Sequence, residues 1–145
     1  MKKKVLASIG CLMASSMVWA TEMESCPHVS QINYGGGIYT APTASGKGEW
    51  LGMINQGRPR EVESFESAVF YPVGNASGTR GTLGYCSYRT VDDVMVNLRY
   101  RSNENPAVMV TLARLEHWRQ EMSGFGQVFY ECTDPGLQAC AFTDA

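Results

Sequence analysis

The chain has 145 residues, of which 44% are hydrophobic, and its formal net charge is −2. This length suits a single domain that encloses one hydrophobic core. No run of lysine and arginine exceeds three residues, so nucleic acid and anionic membranes are poor electrostatic partners for the chain.

The first twenty residues have the composition and order of a secretory signal peptide. Lys2–Lys4 form a basic start, Val5–Val18 is mostly apolar or small, and Val18-Trp19-Ala20 ends in small residues where a signal peptidase reads. The segment is too short for a permanent membrane span. Cleavage after Ala20 leaves nine basic and fourteen acidic residues in 21–145, a net charge of about −5. We predict an exported protein, periplasmic or extracellular, without an integral membrane segment after processing.

Lipidation at Cys11 is the alternative to this cleavage, because Gly10 precedes the cysteine. Ser8 occupies the position where such sites usually carry leucine, and the apolar run continues beyond Cys11. We therefore favour cleavage after Ala20.

Apolar and polar residues alternate along most of the mature chain, a pattern typical of β-strands. FESAVFYPV carries apolar groups on both faces, around Val69 and Phe70, and GTLGYCSYRT places Leu83 and Tyr85 opposite Cys86 and Tyr88. Three further runs place one set of residues on a common face: Val94, Val96, Leu98 and Tyr100; Val108, Val110 and Leu112; and Val128, Tyr130 and Cys132.

Turn residues separate these runs at intervals of about 10–15 residues, as in antiparallel all-β folds. They include Gly35-Gly36-Gly37, Thr90–Asp93 and Asn103–Pro106, and the stretch YTAPTASGKGEW is predicted to be a surface loop that leads into a strand. We predict that residues 21–145 form one antiparallel β-sandwich or barrel-like domain of seven or eight strands.

The segment ARLEHWRQEM contains good helix formers, and Leu112, Leu115 and Trp118 follow one another at intervals of three. We predict a short helix over Leu115–Met122 that ends at Ser123-Gly124, since glycine favours the helix C-terminus. A twisted strand with Trp118 facing inward is the alternative.

Four cysteines remain after removal of the signal: Cys26, Cys86, Cys132 and Cys140. An even number in an exported chain predicts disulfides, and neither zinc nor redox chemistry is indicated because no C-x-x-C pair occurs. The turn formers of Asp134–Gln138 lie between Cys132 and Cys140, which would place those cysteines opposite each other in a hairpin. We favour Cys132–Cys140 with Cys26–Cys86. Cys86–Cys132 with Cys26–Cys140 is the rival arrangement.

No residues are predicted to be catalytic, to bind a metal or to hold a cofactor. The motif G-x-S-x-G is absent, and Ser77 lies in GNASG, which has the wrong order for a nucleophile elbow. His28 and His117 lack any motif partner, and Asp92-Asp93 reads as a solvated turn. Gly35-Gly36-Gly37 has no following Lys-Ser or Lys-Thr, so it indicates a bend rather than a phosphate cradle.

Aromatic residues are the remaining candidates for recognition, because they offer a large contact area at low entropic cost. Tyr34 and Tyr39 flank the three glycines, and a polar loop leads from them to Trp50. We predict that Tyr34, Tyr39 and Trp50 contribute to a binding surface. Burial of all three in the core is the alternative.

Five segments occur in order along the mature chain: CPHVSQI, GEWLG, GYCSYRT, YEC and CAF. Together they resemble a family of small exported proteobacterial proteins that is classed as a domain of unknown function, and the resemblance covers nearly all of residues 21–145. It implies export and a cysteine-stapled domain, and it carries no activity. Periplasmic lysozyme inhibitors are similar in type only, since their signature loop is absent.

We expect a non-enzymatic binding protein of the bacterial envelope or medium whose partner is a protein or a glycan. The competing class is a small secreted hydrolase, or a protein similar to lysozyme inhibitors, that acts on cell-wall or host polymers. A buried polar cleft with histidine or paired carboxylates would favour the enzyme, whereas an exposed aromatic or apolar patch would favour binding.

The first testable prediction concerns processing. We expect the intact mass of the exported protein to correspond to a chain that starts at Thr21, because signal peptidase cleaves after the small residue Ala20. A diacylated N-terminus at Cys11, or a chain that retains Met1, would contradict it.

Overall fold

A computed structural model describes residues 10–11, 23–54, 56–75, 77–102 and 109–144. The predicted signal peptide lies outside the described residues except for Gly10 and Cys11, and so do Asn103–Pro106 and Val108. Within the described ranges, no helix is long and apolar enough to cross a membrane.

The described part of the chain forms eleven strands that pair antiparallel in one sheet. They are β1 (Met23–Ser25), β2 (Asn33–Gly35), β3 (Ile38–Pro42), β4 (Gly48–Met53), β5 (Val62–Pro72), β6 (Arg80–Thr90), β7 (Met95–Ser102), β8 (Val110–Leu112), β9 (Arg119–Met122), β10 (Val128–Cys132) and β11 (Ala141–Thr143). Three single 3₁₀ turns occur at Val29–Gln31, Val73–Asn75 and Leu115–His117. The all-β, antiparallel prediction is confirmed, with more strands than the seven or eight expected because several are only three residues long.

Strand β6 is central to the sheet, because one of its edges pairs with two different strands. Along the other edge it pairs with β5, and β10 and β9 follow in that direction. On the divided edge, Cys86–Arg89 pair with β7, whereas Arg80 and Gly81 pair with β8. The sheet therefore splits into an arm β7–β4–β3–β2 and an arm β8–β11–β1, and it curls as a half-barrel.

Aromatic side chains join the two arms across the core. The ring of Trp50 in β4 lies 5.3 Å from Tyr100 in β7 and 6.1 Å from Phe142 in β11, measured between ring centroids. Tyr100 and Phe142 are 5.1 Å apart. The Tyr100 hydroxyl also donates to Asp144 at 2.7 Å, and burial, followed by this hydrogen bond, raises the pKa of Tyr100. Ring packing thus joins the two arms, which share no strand ladder within the described ranges.

The buried carboxylate of Glu24 makes a second connection between the arms. Glu24 lies in β1 and only 2% of it is exposed. Its two oxygens accept backbone hydrogen bonds from Ala44 at 2.8 Å and Ser45 at 2.9 Å, in the turn between β3 and β4. A buried carboxylate is tolerated when donors satisfy its oxygens, so Glu24 fixes β1 to that turn.

The face predicted for Leu83 is wrong, because strand β6 contains a bulge. Val69 pairs with Tyr85 but Phe70 pairs with Leu83, so Gly84 is the extra residue. The bulge reverses the alternation, and Leu83 joins Cys86 and Tyr88 in the core. Glycine is required because a Cβ at this position would lie 2.7 Å from the Tyr71 ring. The faces predicted for Val96, Leu98 and Tyr100, and for Val128, Tyr130 and Cys132, are confirmed, because Val128 is buried and the other five belong to the core or pack against it.

The predicted helix over Leu115–Met122 is wrong. The segment forms a 3₁₀ turn at Leu115–His117, and extended chain follows through Trp118 and β9. The buried Trp118 ring packs against Phe70 and its Nε1 donates to the carbonyl of Ala141 at 3.2 Å. Pairing of β9 with β10 outweighs the helix propensity of these residues, and the alternative with Trp118 facing inward holds.

Both favoured disulfides are confirmed, with Cα atoms 5.9 Å apart in Cys26–Cys86 and 5.6 Å apart in Cys132–Cys140. The hairpin expected for the short loop is absent, because Cys132 ends β10 whereas Cys140 precedes β11, and these strands do not pair. The loop is instead shaped by an Asx turn, in which Asp134 Oδ1 accepts from the Gly136 N–H at 2.8 Å.

The second testable prediction is that Glu24→Gln lowers the free energy of unfolding by about 1–3 kcal/mol, because the amide cannot accept both backbone N–H groups. Urea unfolding of the oxidised protein measures this change. The matched control is Glu61→Gln, an exposed side chain for which we expect a change within about 0.5 kcal/mol. Equal effects of the two substitutions would contradict the role of Glu24.

Candidate functional site

The three aromatic residues predicted to bind a partner do not form one surface. Tyr39 and Trp50 are fully buried, and only Tyr34 is exposed, to 47%. Trp50 packs between the two arms of the sheet, as described above. Tyr39 is held by the backbone of Arg60, because its hydroxyl donates to the carbonyl at 2.6 Å and accepts from the N–H at 2.8 Å. Two of the three side chains therefore support the fold.

The glycines beside Tyr34 serve a turn. Gly36 and Gly37 connect β2 and β3 with φ values of 59° and 85°, and two successive positive φ values are typical of a type I′ hairpin turn. A Cβ at either position would meet no atom within 4 Å, so the backbone conformation alone requires glycine. The bend predicted for these residues is present.

A cleft of about 790 Å³ lies between the two disulfides. Three segments form most of its lining: Ser25–Val29 beside Cys26–Cys86, Glu63–Phe65 at the start of β5, and Asp134–Cys140 within the Cys132–Cys140 loop. Gln31, Pro42 and Ala44 complete it. Its apolar surface comes from proline, aliphatic and aromatic side chains: Pro27, Val29, Pro42, Phe65, Pro135 and Leu137. Volumes of this size are usual for binding sites.

The N-terminal side of the cleft is fixed to the core. Besides the disulfide at Cys26, the buried hydroxyl of Tyr88 donates to the carbonyl of Pro27 at 2.5 Å. Burial raises the pKa of Tyr88, so the hydroxyl remains a donor. His28 begins the next 3₁₀ turn, where its Nδ1 accepts from the Ser30 N–H at 3.1 Å and Gln31 Oε1 accepts from the His28 N–H at 3.3 Å.

The opposite side of the cleft is fixed by the short disulfide and by Asp134. One carboxylate oxygen of Asp134 accepts from Gly136, and the other lies 2.8 Å from Nδ1 of His117. Leu137, in the same loop, is 77% exposed. The loop thus exposes an apolar side chain on a backbone that the disulfide and Asp134 already hold in place. Less conformational entropy of the loop is therefore lost when a partner binds.

The charge of the cleft is negative. Glu63 and Asp134 line it, and none of its lining residues in the described part of the chain is lysine or arginine. Asp134 is paired with His117, whereas Glu63 is exposed and forms no ion pair with another described residue. The cleft therefore offers one free carboxylate beside an apolar surface.

The histidines near the cleft are engaged in local contacts. His28 Nδ1 lies 2.7 Å from Ser30 Oγ and also accepts the Ser30 N–H, an arrangement that caps the 3₁₀ turn. In His117, Nδ1 faces Asp134 and Nε2 lies 3.6 Å from Glu116. No group of three or more potential metal ligands of the types His, Cys, Asp and Glu lies within the described ranges. The arrangement can bind through shape, apolar contact and charge.

A family model described as "Protein of unknown function (DUF3757)" matches residues 20–143. The chain belongs to this family. The match confirms the resemblance to a domain of unknown function, while the proteobacterial origin that the motifs implied stays a prediction. Comparison with curated proteins and with solved structures gives no match, so for this DUF3757 member the site must be argued from its geometry.

The cleft was missed from the sequence, although two signals point to it. Pro27 follows Cys26, and Pro135 lies in the loop closed by Cys132 and Cys140, so both disulfides carry stiff apolar neighbours. The sequence does not show that these segments face Glu63 and Phe65 of β5, because that placement depends on the pairing of β5 with β10 and β6, which joins distant parts of the chain.

The third testable prediction separates the core aromatics from the exposed one. Trp50→Ala and Tyr39→Ala should each lower the free energy of unfolding by roughly 3–5 kcal/mol, as expected when a buried aromatic is truncated. Tyr34→Ala should cost at most about 1.5 kcal/mol, since it loses only a ring contact with Tyr39. Urea unfolding measures all three, and a loss at Tyr34 equal to that at Trp50 would contradict the assignment.

Proposed function

We propose that the protein is an exported, non-enzymatic binding protein that holds a segment of a partner polypeptide in the cleft between its disulfides. The observation that carries the proposal is the combination of a braced, apolar cleft with the free carboxylate of Glu63. A partner segment that places an apolar side chain against Leu137 and Phe65 and a lysine or arginine beside Glu63 matches this chemistry.

Export is supported by the two disulfides, because such bonds persist in oxidising compartments. The predicted signal peptide and the resemblance to exported proteobacterial proteins agree with it. The bracing of the cleft depends on both bonds, so the proposed function requires an environment in which they remain oxidised.

A polypeptide is favoured over a glycan by the placement of the aromatic residues. Sugar rings are commonly bound by stacking on exposed aromatic faces, and both tryptophans within the described ranges, Trp50 and Trp118, are buried. The cleft itself is lined by proline and aliphatic side chains, and Phe65, its aromatic residue, packs at its edge against Tyr88 with ring centroids 5.5 Å apart.

A basic partner is favoured by electrostatics. The cleft holds the carboxylates of Glu63 and Asp134, and no lysine or arginine that the structure describes lines it. The predicted mature chain carries a net charge of about −5. An acidic segment would be repelled both by the cleft and by the molecule as a whole. We therefore expect the protein to bind basic segments in preference to acidic ones.

The fourth testable prediction uses an array of synthetic peptides probed with the oxidised protein, residues 21–145. Peptides that combine leucine with lysine or arginine should bind, and matched peptides with glutamate should not. Glu63→Gln should weaken binding roughly ten- to hundredfold, because a hydrogen bond between charged groups contributes about 1.5–3 kcal/mol. Leu137→Ser should weaken it as well, since apolar contact area is lost.

Two control variants keep this test specific. Glu61→Gln removes an exposed carboxylate outside the cleft, and Phe125→Ser removes a fully exposed aromatic ring from the β9–β10 turn. Both should bind peptide as the parent protein does. Equal binding of basic and acidic peptides, or full binding by Glu63→Gln, would sink the proposal.

A further inference from the structure

A second cavity, of about 800 Å³, opens where the sheet divides at β6. The ladder between β6 and β7 covers only Cys86–Arg89 of β6, and beyond Leu98 strand β7 pairs with β4 alone. Thr82–Gly84 of β6 and Arg99–Arg101 of β7 therefore line two sides of a groove, and β3 and β4 extend it. We refer to it as the fork groove.

The fork groove has an apolar strip along β3, β4 and β7. Ile38 and Met53 are paired across the strands, and they are 44% and 67% exposed. Met95, at the start of β7, is 45% exposed, and Leu51 and the buried Leu83 also line the groove. Methionine side chains are flexible and adapt to apolar ligands of different shapes.

Two arginines lie beside this strip without an acidic partner. Arg99 and Arg101 are two residues apart in β7, so their side chains leave the same face of the strand. Neither forms an ion pair with a residue that the structure describes, although Glu49 is opposite Arg101 in the register. Among the residues that the structure describes, no carboxylate lines the fork groove. Two free guanidinium groups next to an apolar strip suit one anionic head group with an alkyl chain.

We propose that the fork groove binds a single-chain anionic amphiphile as a free molecule. Its acidic head group, a carboxylate, phosphate or sulfate, contacts Arg99 and Arg101, and its alkyl chain lies along Leu51, Met53 and Ile38. The volume is within the range usual for small-molecule sites.

A free molecule fits this site better than a membrane surface does. Electrostatic attachment to anionic lipid uses clusters of four to eight basic residues, whereas the fork groove supplies two. The predicted mature chain is also acidic, with a net charge of about −5, so an anionic bilayer repels the rest of the molecule. A recessed groove can nevertheless enclose one alkyl chain.

The test compares three ligands that share a twelve-carbon chain and differ in the charge of the head group. Binding of dodecanoate, dodecanol and dodecyltrimethylammonium to the oxidised protein, residues 21–145, is measured by calorimetry at concentrations below micelle formation. Dodecanoate should bind at least roughly tenfold more tightly than either of the others, because only it engages both arginines.

Substitutions in the fork groove test whether dodecanoate binds there. Arg99→Gln and Arg101→Gln should each weaken dodecanoate binding roughly tenfold or more, and Arg99→Lys should retain more affinity than Arg99→Gln because it keeps the charge. Met53→Asn should reduce the preference for dodecanoate over octanoate, since it shortens the apolar strip. Arg58→Gln, which removes an exposed arginine outside the fork groove, is the matched control and should bind as the parent protein does.

Several results would overturn the proposal. Equal binding of the three head groups, or unchanged affinity in both arginine variants, would show that the arginines do not bind the head group. Binding to vesicles of anionic phospholipid without binding of monomeric dodecanoate would indicate a membrane surface instead. Displacement of dodecanoate by an acidic peptide at a lower concentration than by octanoate would indicate a peptide ligand. Thermal unfolding of each variant confirms that the fold is retained. If Arg99→Gln does not fold, Arg99→Lys and Arg101→Gln decide the question by the same comparison.

Discussion

The structure depends on one constraint of strand pairing. Along one edge of a strand, each residue can form ladder hydrogen bonds with only one neighbouring strand. Strand β6 is eleven residues long, and its shared edge is divided between β7 and β8. The sheet must therefore fork, and the arms that result are free to turn toward each other. Trp50, Tyr100 and Phe142 fill the space between them. The packing of these three rings is thus a consequence of the fork.

Side-chain contacts hold the curled sheet together, because its two arms share no strand ladder in the part of the chain that the structure describes. Glu24 links β1 to the turn between β3 and β4, the Tyr39 hydroxyl holds the backbone at Arg60, and the Tyr88 hydroxyl holds Pro27. Each connects residues at least 20 positions apart in sequence, so each forms only when distant segments have come together; of the three, the Glu24 contact joins the two arms. The Cys26–Cys86 bond adds a covalent connection, which restricts the unfolded chain and stabilises the closed form.

Both cavities follow from this architecture, and their charges differ. The cleft between the disulfides is acidic because Glu63 is free there, whereas the fork groove is basic because Arg99 and Arg101 lack acidic partners in the described part of the chain. Because surface ion pairs contribute little to stability, leaving Glu63 and the two arginines unpaired costs the folded protein little. The separation matches the two ligands proposed, a basic segment at the cleft and an anionic head group at the fork groove.

The sequence by itself predicts the features that depend on neighbouring residues or on cysteine chemistry. Alternation fixes the faces of Val96 and Leu98, since adjacent side chains of a strand point to opposite sides, and the turn formers between Cys132 and Cys140 favour the correct pairing of the four cysteines. Tertiary structure alone decides that Leu115–Met122 turns and then extends, that Leu83 faces inward, and that Trp50 and Tyr39 are buried while Tyr34 is exposed. The physical reason is that strand pairing, the bulge at Gly84 and the closing of the two arms are contacts between distant segments, and their energy outweighs the local preferences that the sequence displays.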